Sequence, residues 1–150
     1  MGKSGLYGIV AFVIGFVIAQ GAKFLIGFSK KGKKPYKNFK DVVHDLTKSG
    51  GMPSGHSSSF VALTTFLGLS EGFSSSFFAL SVGMTVIIIY DAVNVRFAVG
   101  EHGKLLNEIA KSDGNDKTNP QKLVEGHTIS QVIVGILIGI VVGSAVYYIF

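Results

Sequence analysis

The 150-residue chain contains no cysteine, and only 15% of its residues are charged. The absence of cysteine excludes a disulfide scaffold, a thiol nucleophile and a zinc site built on cysteine. An average soluble domain has about 25% charged residues, so this chain is short of solvating charge. Hydrophobic residues make up 47% and the mean hydropathy is +0.46, which excludes an intrinsically disordered chain. These values indicate a small integral membrane protein and, from its length, a single domain over residues 1–150.

The few charges are mostly positive, and the formal net charge is +5. A surface that binds nucleic acid spreads its basic residues over a folded polar face. Here the lysines are bunched between apolar runs, so no nucleic-acid partner is expected.

Four segments are candidates for membrane helices. Residues 6–28 and 129–150 are 23 and 22 residues long, enough to cross a hydrocarbon core of about 30 Å at about 1.5 Å per residue. Residues 77–99 form a third candidate with a polar end, and residues 53–69 predict a short or re-entrant helix. We therefore predict an all-α fold, a polytopic transmembrane bundle of about four helices.

Lysines in the connections predict the orientation. Residues 29–51 contain seven lysines, residues 100–126 contain four, and residues 70–76 contain none. Short loops rich in lysine stay in the cytoplasm. Residues 29–51 and 100–126 are therefore predicted inside, and residues 70–76 and both termini outside, in a multi-pass protein of the cell membrane.

Small residues recur at every fourth position on two predicted helices. They are Ala11, Gly15 and Ala19 on the first helix and Gly135, Gly139 and Gly143 on the last. Because small residues let membrane helices approach closely, these faces are predicted to pack within the bundle, and they are also candidate surfaces for a homo-oligomer. Continued at the same spacing, the two faces reach Lys23 on the first helix and Gln131 and His127 on the last.

Polar residues from all four helices are predicted to meet at the cytoplasmic end of the bundle. They are Lys23 and Lys30 from the first helix, Ser54, Gly55 and His56 from the second, Asp91, Asn94 and Arg96 from the third, and His127 and Gln131 from the last. A single one of them has an ordinary explanation, such as a cation that snorkels to the interface. Ionisable residues at one level of all four helices favour a functional site.

The residue types at this end suit a phosphate group. Residues 50–56 form a glycine-rich turn into a helix N-terminus, where free N–H groups and the helix dipole attract anions. Lysine and arginine add positive charge, and two histidines can divide the roles of nucleophile and general acid. The same cations disfavour a metal ion, so neither a metal nor a cofactor is expected.

Three motifs in this order resemble the divergent membrane branch of the type-2 phosphatidic acid phosphatase superfamily, which is related to the vanadium-dependent haloperoxidases. The branch typically shows G-G-M-P-S-[SG]-H-S, then Y-D-A-x-x-V-R, then G-H-T. Residues 50–57 of this chain are GGMPSGHS, residues 90–96 are YDAVNVR, and residues 126–128 are GHT. The three blocks span most of the chain, which makes the resemblance specific.

The resemblance implies a helical bundle that hydrolyses phosphomonoesters or pyrophosphates without a metal. It implies that His127 attacks phosphorus to form a phosphohistidine, and that His56 protonates the leaving oxygen. Ser54 and Gly55 match the phosphate cradle of the superfamily.

The basic residues match the superfamily less closely. Its first motif, K-x6-R-P, corresponds to Lys23 followed after six residues by Lys30, without the proline. Its last motif has an arginine where Gln121 stands here, and Arg96 would supply that charge from another helix. Asp91 would then orient Arg96 or a histidine.

Gln131 is a second departure from the superfamily, because an acid usually occupies this position. A carboxylate there holds the histidine nucleophile in its tautomer and stabilises the imidazolium, and in serine proteases the loss of such a charge costs about 10⁴-fold in kcat. Glutamine can accept a hydrogen bond from His127 but supplies no charge. Glu125 or Asp91 would have to provide it.

Three functions remain open from the sequence. The first is a membrane-embedded phosphatase that acts on a lipid phosphate or isoprenoid phosphate. The second is a non-catalytic membrane protein that binds a phospholipid headgroup or another phosphate ligand, which Gln131 favours. The third, a transporter or channel subunit, is disfavoured by the apolar outer halves of the helices. The expected partners are a lipid-phosphate substrate and membrane lipids.

Overall fold

The computed structural model describes residues 2–29, 51–112 and 126–150, and helices occupy most of them. The elements in chain order are α1 (Gly2–Ser29), α2 (Gly55–Glu71), α3 (Ser76–Tyr90), a π-helical turn that we call the π segment (Asp91–Val95), α4 (Arg96–Ser112) and α5 (Ile129–Ile149). No β-strand occurs in these three stretches. The predicted all-α fold is therefore confirmed.

Three helical stretches are long and apolar enough to cross a membrane. They are Gly5–Ile26, Ser76–Ile109 and Ile129–Ile149. Many of their leucine, isoleucine, valine and phenylalanine side chains are exposed on the protein surface, as expected for helices that face lipid. α2 is shorter, at 17 residues, in agreement with the short second helix predicted from the sequence. The fold is a polytopic helical membrane bundle.

α2 lies at the centre of this bundle and packs against α1, α3 and α5. Its residues Ala62 and Phe66 form a buried cluster with Ala11 of α1 and with Val142 and Val146 of α5. α2 begins directly after Ser54, whose side chain caps the helix. It ends before Gly72, whose φ of +90° is a backbone conformation that favours glycine.

The glycine face of α5 packs directly against the backbone of α2. A Cβ atom at Gly135 would lie 2.7 Å from the Ser54 carbonyl oxygen, and one at Gly139 would lie 2.7 Å from that of Ser58. The predicted packing role of these glycines is confirmed. This face of α5 is covered by α2 of the same chain, and a homo-oligomer stays a prediction.

Hydroxyl groups add polar contacts between the helices. The Ser58 hydroxyl donates to the Gly15 carbonyl at 2.9 Å, and the hydroxyls of Thr64 and Thr85 lie 2.9 Å apart. Interhelical hydrogen bonds of this kind stabilise helix pairs in lipid. They fix α2 relative to α1 and α3.

One sequence prediction about the connections was wrong. Residues 100–126 were predicted to form a loop, but α4 continues as helix to Ser112. Leu105 and Ile109 fall on one face of this helix, and Lys104 pairs with Glu101 on another. Lys104 and Glu101 instead belong to the polar side of an amphipathic helix. Residues 30–50 and 113–125, which contain Lys30, Gln121 and Glu125, lie outside the described residues.

Candidate functional site

The chain order brings four helix ends to one end of the bundle. At the opposite end, Tyr7 near the start of α1 stacks on Phe150 after α5, with ring centroids 5.1 Å apart. The antiparallel course of α1 and α5 therefore places Lys23 at the level where α5 begins. There the Ser54 N–H donates to the Gln131 carbonyl at 3.1 Å, and the His127 N–H donates to the Ala92 carbonyl at 3.0 Å.

His127 is buried, with 5% of its surface exposed, and its ring is held by Gln131. The His127 Nδ1 atom lies 3.1 Å from the Gln131 Oε1 atom. The same oxygen accepts a hydrogen bond from the Thr128 backbone N–H at 3.1 Å. Because a backbone N–H donates only to an acceptor, this atom of Gln131 is the amide oxygen. A neutral His127 therefore has its proton on Nδ1 and its lone pair on Nε2.

The surroundings of His127 favour this neutral form. Burial lowers the pKa of His127 below its usual value, and the hydrogen bond with Gln131 opposes that shift. The positive charge of Lys23 and the nearby His56 lower the pKa further, while a hydrogen bond with the Gly51 backbone raises it. Because burial is the largest of these effects, the imidazole is neutral near neutral pH.

His56 lies in the first turn of α2, outside the three candidate spans, and its side chain is partly exposed. Desolvation by its neighbours is the largest cause that lowers the pKa of His56, followed by the positive charges of Arg96 and Lys23. The Asp91 carboxylate acts in the opposite direction. Lys23 of α1, Asp91 of the π segment and Arg96 of α4 thus all act on one histidine of α2.

Asp91 is the first residue of the π segment and Arg96 is the residue directly after it. Their side chains form an ion pair. The Arg96 Nε–H group donates to Asp91 Oδ2 at 2.5 Å, and both side chains are partly exposed. The terminal guanidinium nitrogens have no partner in the part of the chain that the structure describes, and they can bind an anion. The Asp91 carboxylate thus holds the Arg96 side chain, and it is not among the groups that shift the pKa of His127.

The start of α2 differs from the predicted cradle in one respect. The Ser54 hydroxyl accepts from the Ser57 backbone N–H at 3.4 Å and from the Ser57 hydroxyl at 2.9 Å. Since the Ser54 N–H is bonded to Gln131, Ser54 acts as a helix cap and has no free N–H for phosphate. The N–H groups of Gly55 and His56 have no partner among the described residues and are the available donors.

Lys23 is partly buried beside this turn and has no acidic partner in the described stretches. Its aliphatic stem passes Gly51, where an added Cβ would meet Lys23 Cδ at 3.6 Å. An unpaired, half-buried cation favours an anionic ligand. Asn94, in contrast, is exposed and bonds back to the Tyr90 carbonyl at 3.3 Å, so it does not join the site.

Two features of the site were not predicted from the sequence. The Ala92 carbonyl holds the His127 backbone, and Gly126 packs against the backbone of Phe97. Backbone contacts of this kind have no signature in residue type, although a glycine directly before a site histidine is a hint. Over residues 2–29, 51–112 and 126–150, no group of three or more histidine, aspartate or glutamate side chains is placed to hold a metal ion.

Comparisons with known proteins identify the family of the chain. The model of a family described as the divergent PAP2 family matches residues 7–142. An uncharacterized membrane protein, YuiD, from Bacillus subtilis (strain 168) is 33% identical over 119 residues, which cover 70% of this chain and 75% of the relative. No solved structure matches the chain. The matched residues include α2, the π segment and His127, and the chain belongs to the divergent PAP2 family.

Proposed function

We propose that this chain is a membrane-embedded phosphatase that hydrolyses a lipid phosphate or isoprenoid phosphate through a phosphohistidine. The observation that supports it most is the fixed tautomer of His127, whose Nδ1–H faces Gln131 and whose Nε2 keeps its lone pair. A nucleophilic histidine needs that lone pair. A histidine kept only to cap a helix has no need of a fixed ring nitrogen.

The first chemical step is attack of His127 Nε2 on phosphorus. The N–P bond forms, the bond between phosphorus and the lipid oxygen breaks, and a proton from His56 goes to the leaving oxygen. In the second step His56 takes a proton from water, the resulting hydroxide attacks phosphorus, and the N–P bond breaks. Inorganic phosphate leaves and His127 regains its lone pair.

Three cationic or donor groups would bind the phosphate oxygens during both steps. Arg96 offers its terminal guanidinium nitrogens, Lys23 its ammonium group, and the first turn of α2 its free N–H groups. A bound phosphate dianion also raises the pKa of His56, since it offsets the two positive charges that lower it. Substrate binding thus favours the protonated form of His56, with the proton taken from solvent, and this is the form that the first step needs. Lys30 would add to these groups, and its position lies outside the described residues.

A second function is favoured by one observation. Gln131 touches His127 with an uncharged oxygen, so among the residues that the structure describes no carboxylate contacts the imidazolium that would develop during attack. A protein with this site would bind a phospholipid headgroup or another phosphate ligand without turnover. The cations and free N–H groups serve binding and catalysis equally.

Phosphate release from a panel of lipid phosphates by the purified protein separates the two functions. A phosphatase releases phosphate from at least one of them, and His127→Ala abolishes the release while His102→Ala does not. His102 is an exposed histidine of α4 and serves as the matched control. Vanadate or phosphate binding without release from any substrate would overturn the enzyme and support the binding protein.

The side of the membrane is part of the same proposal. The lysines of residues 29–51 and 100–126 support a position of this end of the bundle on the cytoplasmic side of the cell membrane. The substrate headgroup would then be drawn from the inner leaflet.

A further inference from the structure

The π segment changes which backbone groups are free at the end of α3. In an α-helix the Ala92 carbonyl would accept a hydrogen bond from the Arg96 N–H, four residues ahead. Here the Arg96 N–H donates to the Asp91 carbonyl, five residues back. The Ala92 carbonyl has lost this partner and accepts from the His127 N–H at 3.0 Å.

A second contact holds the residue before His127 against the same part of the helix. A Cβ atom at Gly126 would collide with the backbone N and Cα atoms of Phe97 and would lie 2.7 Å from the carbonyl carbon of Arg96. Only glycine allows two backbones to come this close. Residues 126 and 127 are therefore fixed against the helix by one hydrogen bond and one close approach.

The π segment also aligns the cation of the site. Residues five apart on a regular α-helix point about 140° away from each other. Asp91 and Arg96 are five apart, yet they form an ion pair because the π turn contains one more residue than an α turn. One local widening of the helix thus sets both the Arg96 side chain and the His127 backbone.

We propose that the π segment positions the nucleophile, with the Ala92 carbonyl and Gly126 as the positioning groups that place His127 beside the cations. The proposal rests on the function proposed above for His127. Neither Ala92 nor Gly126 touches the phosphate, and both act through His127. Single π turns within α-helices frequently occur at functional sites.

A one-residue deletion tests the role of the π turn. Deletion of Val93 shortens the π turn to an α turn and leaves Asp91 and Arg96 four residues apart, a spacing that keeps them on one face. The Ala92 carbonyl then has the Phe97 N–H four residues ahead as its helical donor, and the His127 N–H loses its acceptor. Deletion of Gly103 in α4 is the matched control, because it also shortens the chain by one residue but leaves the π turn intact.

Two measurements report on the deletions. The first is the ¹⁵N spectrum of labelled histidines, in which His127 shows the Nδ1–H tautomer in the wild type and in the Gly103 deletion but a mixture of tautomers in the Val93 deletion. The second is turnover of a lipid phosphate, in which the Val93 deletion loses about 10²-fold in kcat with little change in KM, the cost of a misplacement of about 1 Å. If the wild type shows no turnover, the proposed function fails, and the spectrum still decides the positioning role.

A variant with a full-length chain covers the case in which the deletion does not fold. Gly126→Ala should also give mixed tautomers and a similar loss of kcat, because its Cβ pushes the backbone away from Phe97. Gly21→Ala is its control, since a Cβ there meets nothing within 4 Å. A wild-type His127 spectrum in Gly126→Ala, or equal changes in Gly126→Ala and Gly21→Ala, would overturn the proposal.

Discussion

At the scale of single residues, the chemistry of the site depends on the pair formed by His127 and Gln131. The Gln131 oxygen accepts from the Thr128 N–H and from His127 Nδ1 at once, so it selects a tautomer without adding charge. An acid at this position would select the tautomer and also add a negative charge. In the proposed mechanism this pair presents a lone pair for nucleophilic attack, and the described residues supply no carboxylate next to His127 to stabilise its cationic form.

Replacement of Gln131 tests this balance. Gln131→Glu should raise kcat by an order of magnitude or more, because a carboxylate beside His127 stabilises its cationic form. Gln131→Met, which keeps the length and removes the acceptor, should lower it. Phosphate release from the best lipid phosphate measures both, and equal rates in all three proteins would mean that Gln131 does not act on His127.

The pH dependence of kcat/KM should also respond to the pair formed by His127 and Gln131. In the proposed mechanism neutral His127 is the nucleophile and burial lowers its pKa, so the acid limb of kcat/KM should lie below about pH 6.5, while loss of the His56 proton gives a separate alkaline limb. In Gln131→Glu the added negative charge raises the pKa of His127 and moves the acid limb to higher pH. An acid limb that stays in place or moves down in Gln131→Glu would exclude His127 as the group that titrates.

The anion site provides a further test at this scale. Arg96→Ala should weaken vanadate binding at least tenfold, since hydrogen bonds to charged groups contribute about 1.5–3 kcal/mol. Lys104→Ala removes an exposed cation from α4 and should change binding little. Titration by calorimetry in detergent gives both constants. Similar losses in the two variants would mean that vanadate responds only to diffuse positive charge.

At the scale of the helices, the contact between α2 and α5 determines where the site residues sit. The glycine face of α5 lets its axis approach α2 so closely that Gly139 meets the Ser58 carbonyl and Val61. The Ser54 N–H then reaches the Gln131 carbonyl at the end of the same face. The packing of α2 against α5 thus also sets the geometry of the site.

Substitution of a glycine on that face should therefore unfold the bundle at lower temperature. Gly139→Ala places a methyl group 2.7 Å from a carbonyl oxygen, and overpacking of this kind costs about 1–3 kcal/mol. Gly83→Ala in α3 meets nothing within 4 Å and should be neutral or stabilising by up to about 1 kcal/mol. Thermal unfolding in detergent compares them. Equal midpoints would contradict the close α2–α5 contact.

The helices could be predicted from the sequence to different degrees. The faces of small residues, and the places of Lys23 and His127 on them, follow from a spacing of four that the sequence shows directly, and His56 joins them through the predicted topology. The π segment does not, because it depends on which carbonyl the Arg96 N–H bonds. That choice is linked to the His127 backbone, which is more than 30 residues away in the sequence.

Two residue types have more than one interpretation in a sequence, for physical reasons. A serine before a helix suits both a helix cap and a phosphate site; Ser54 caps α2, and its role in phosphate binding stays a prediction. Charged residues suit both a loop and the polar face of a helix, and Lys104 and Glu101 are on a helix. In each case the residue type is the same and only the neighbours decide.

At the scale of the whole molecule, the orientation in the membrane decides which leaflet supplies the substrate. The chain has no native cysteine, so single cysteines report without interference. Lys34→Cys should resist an impermeant thiol reagent in intact cells, and Ser74→Cys, in the exposed turn between α2 and α3, should react. Both should react after lysis. The reverse pattern in intact cells would place the site outside.

The central claim is that His127 becomes phosphorylated during turnover. The most direct measurement is a rapid quench of the purified protein with a lipid phosphate, in alkali to preserve the N–P bond, followed by mass spectrometry of the peptide that contains residue 127. We predict a phosphoryl group on His127 in the wild type and none in His127→Ala. Phosphate release from the wild type with no phosphoryl group on His127 at any quench time would contradict the account.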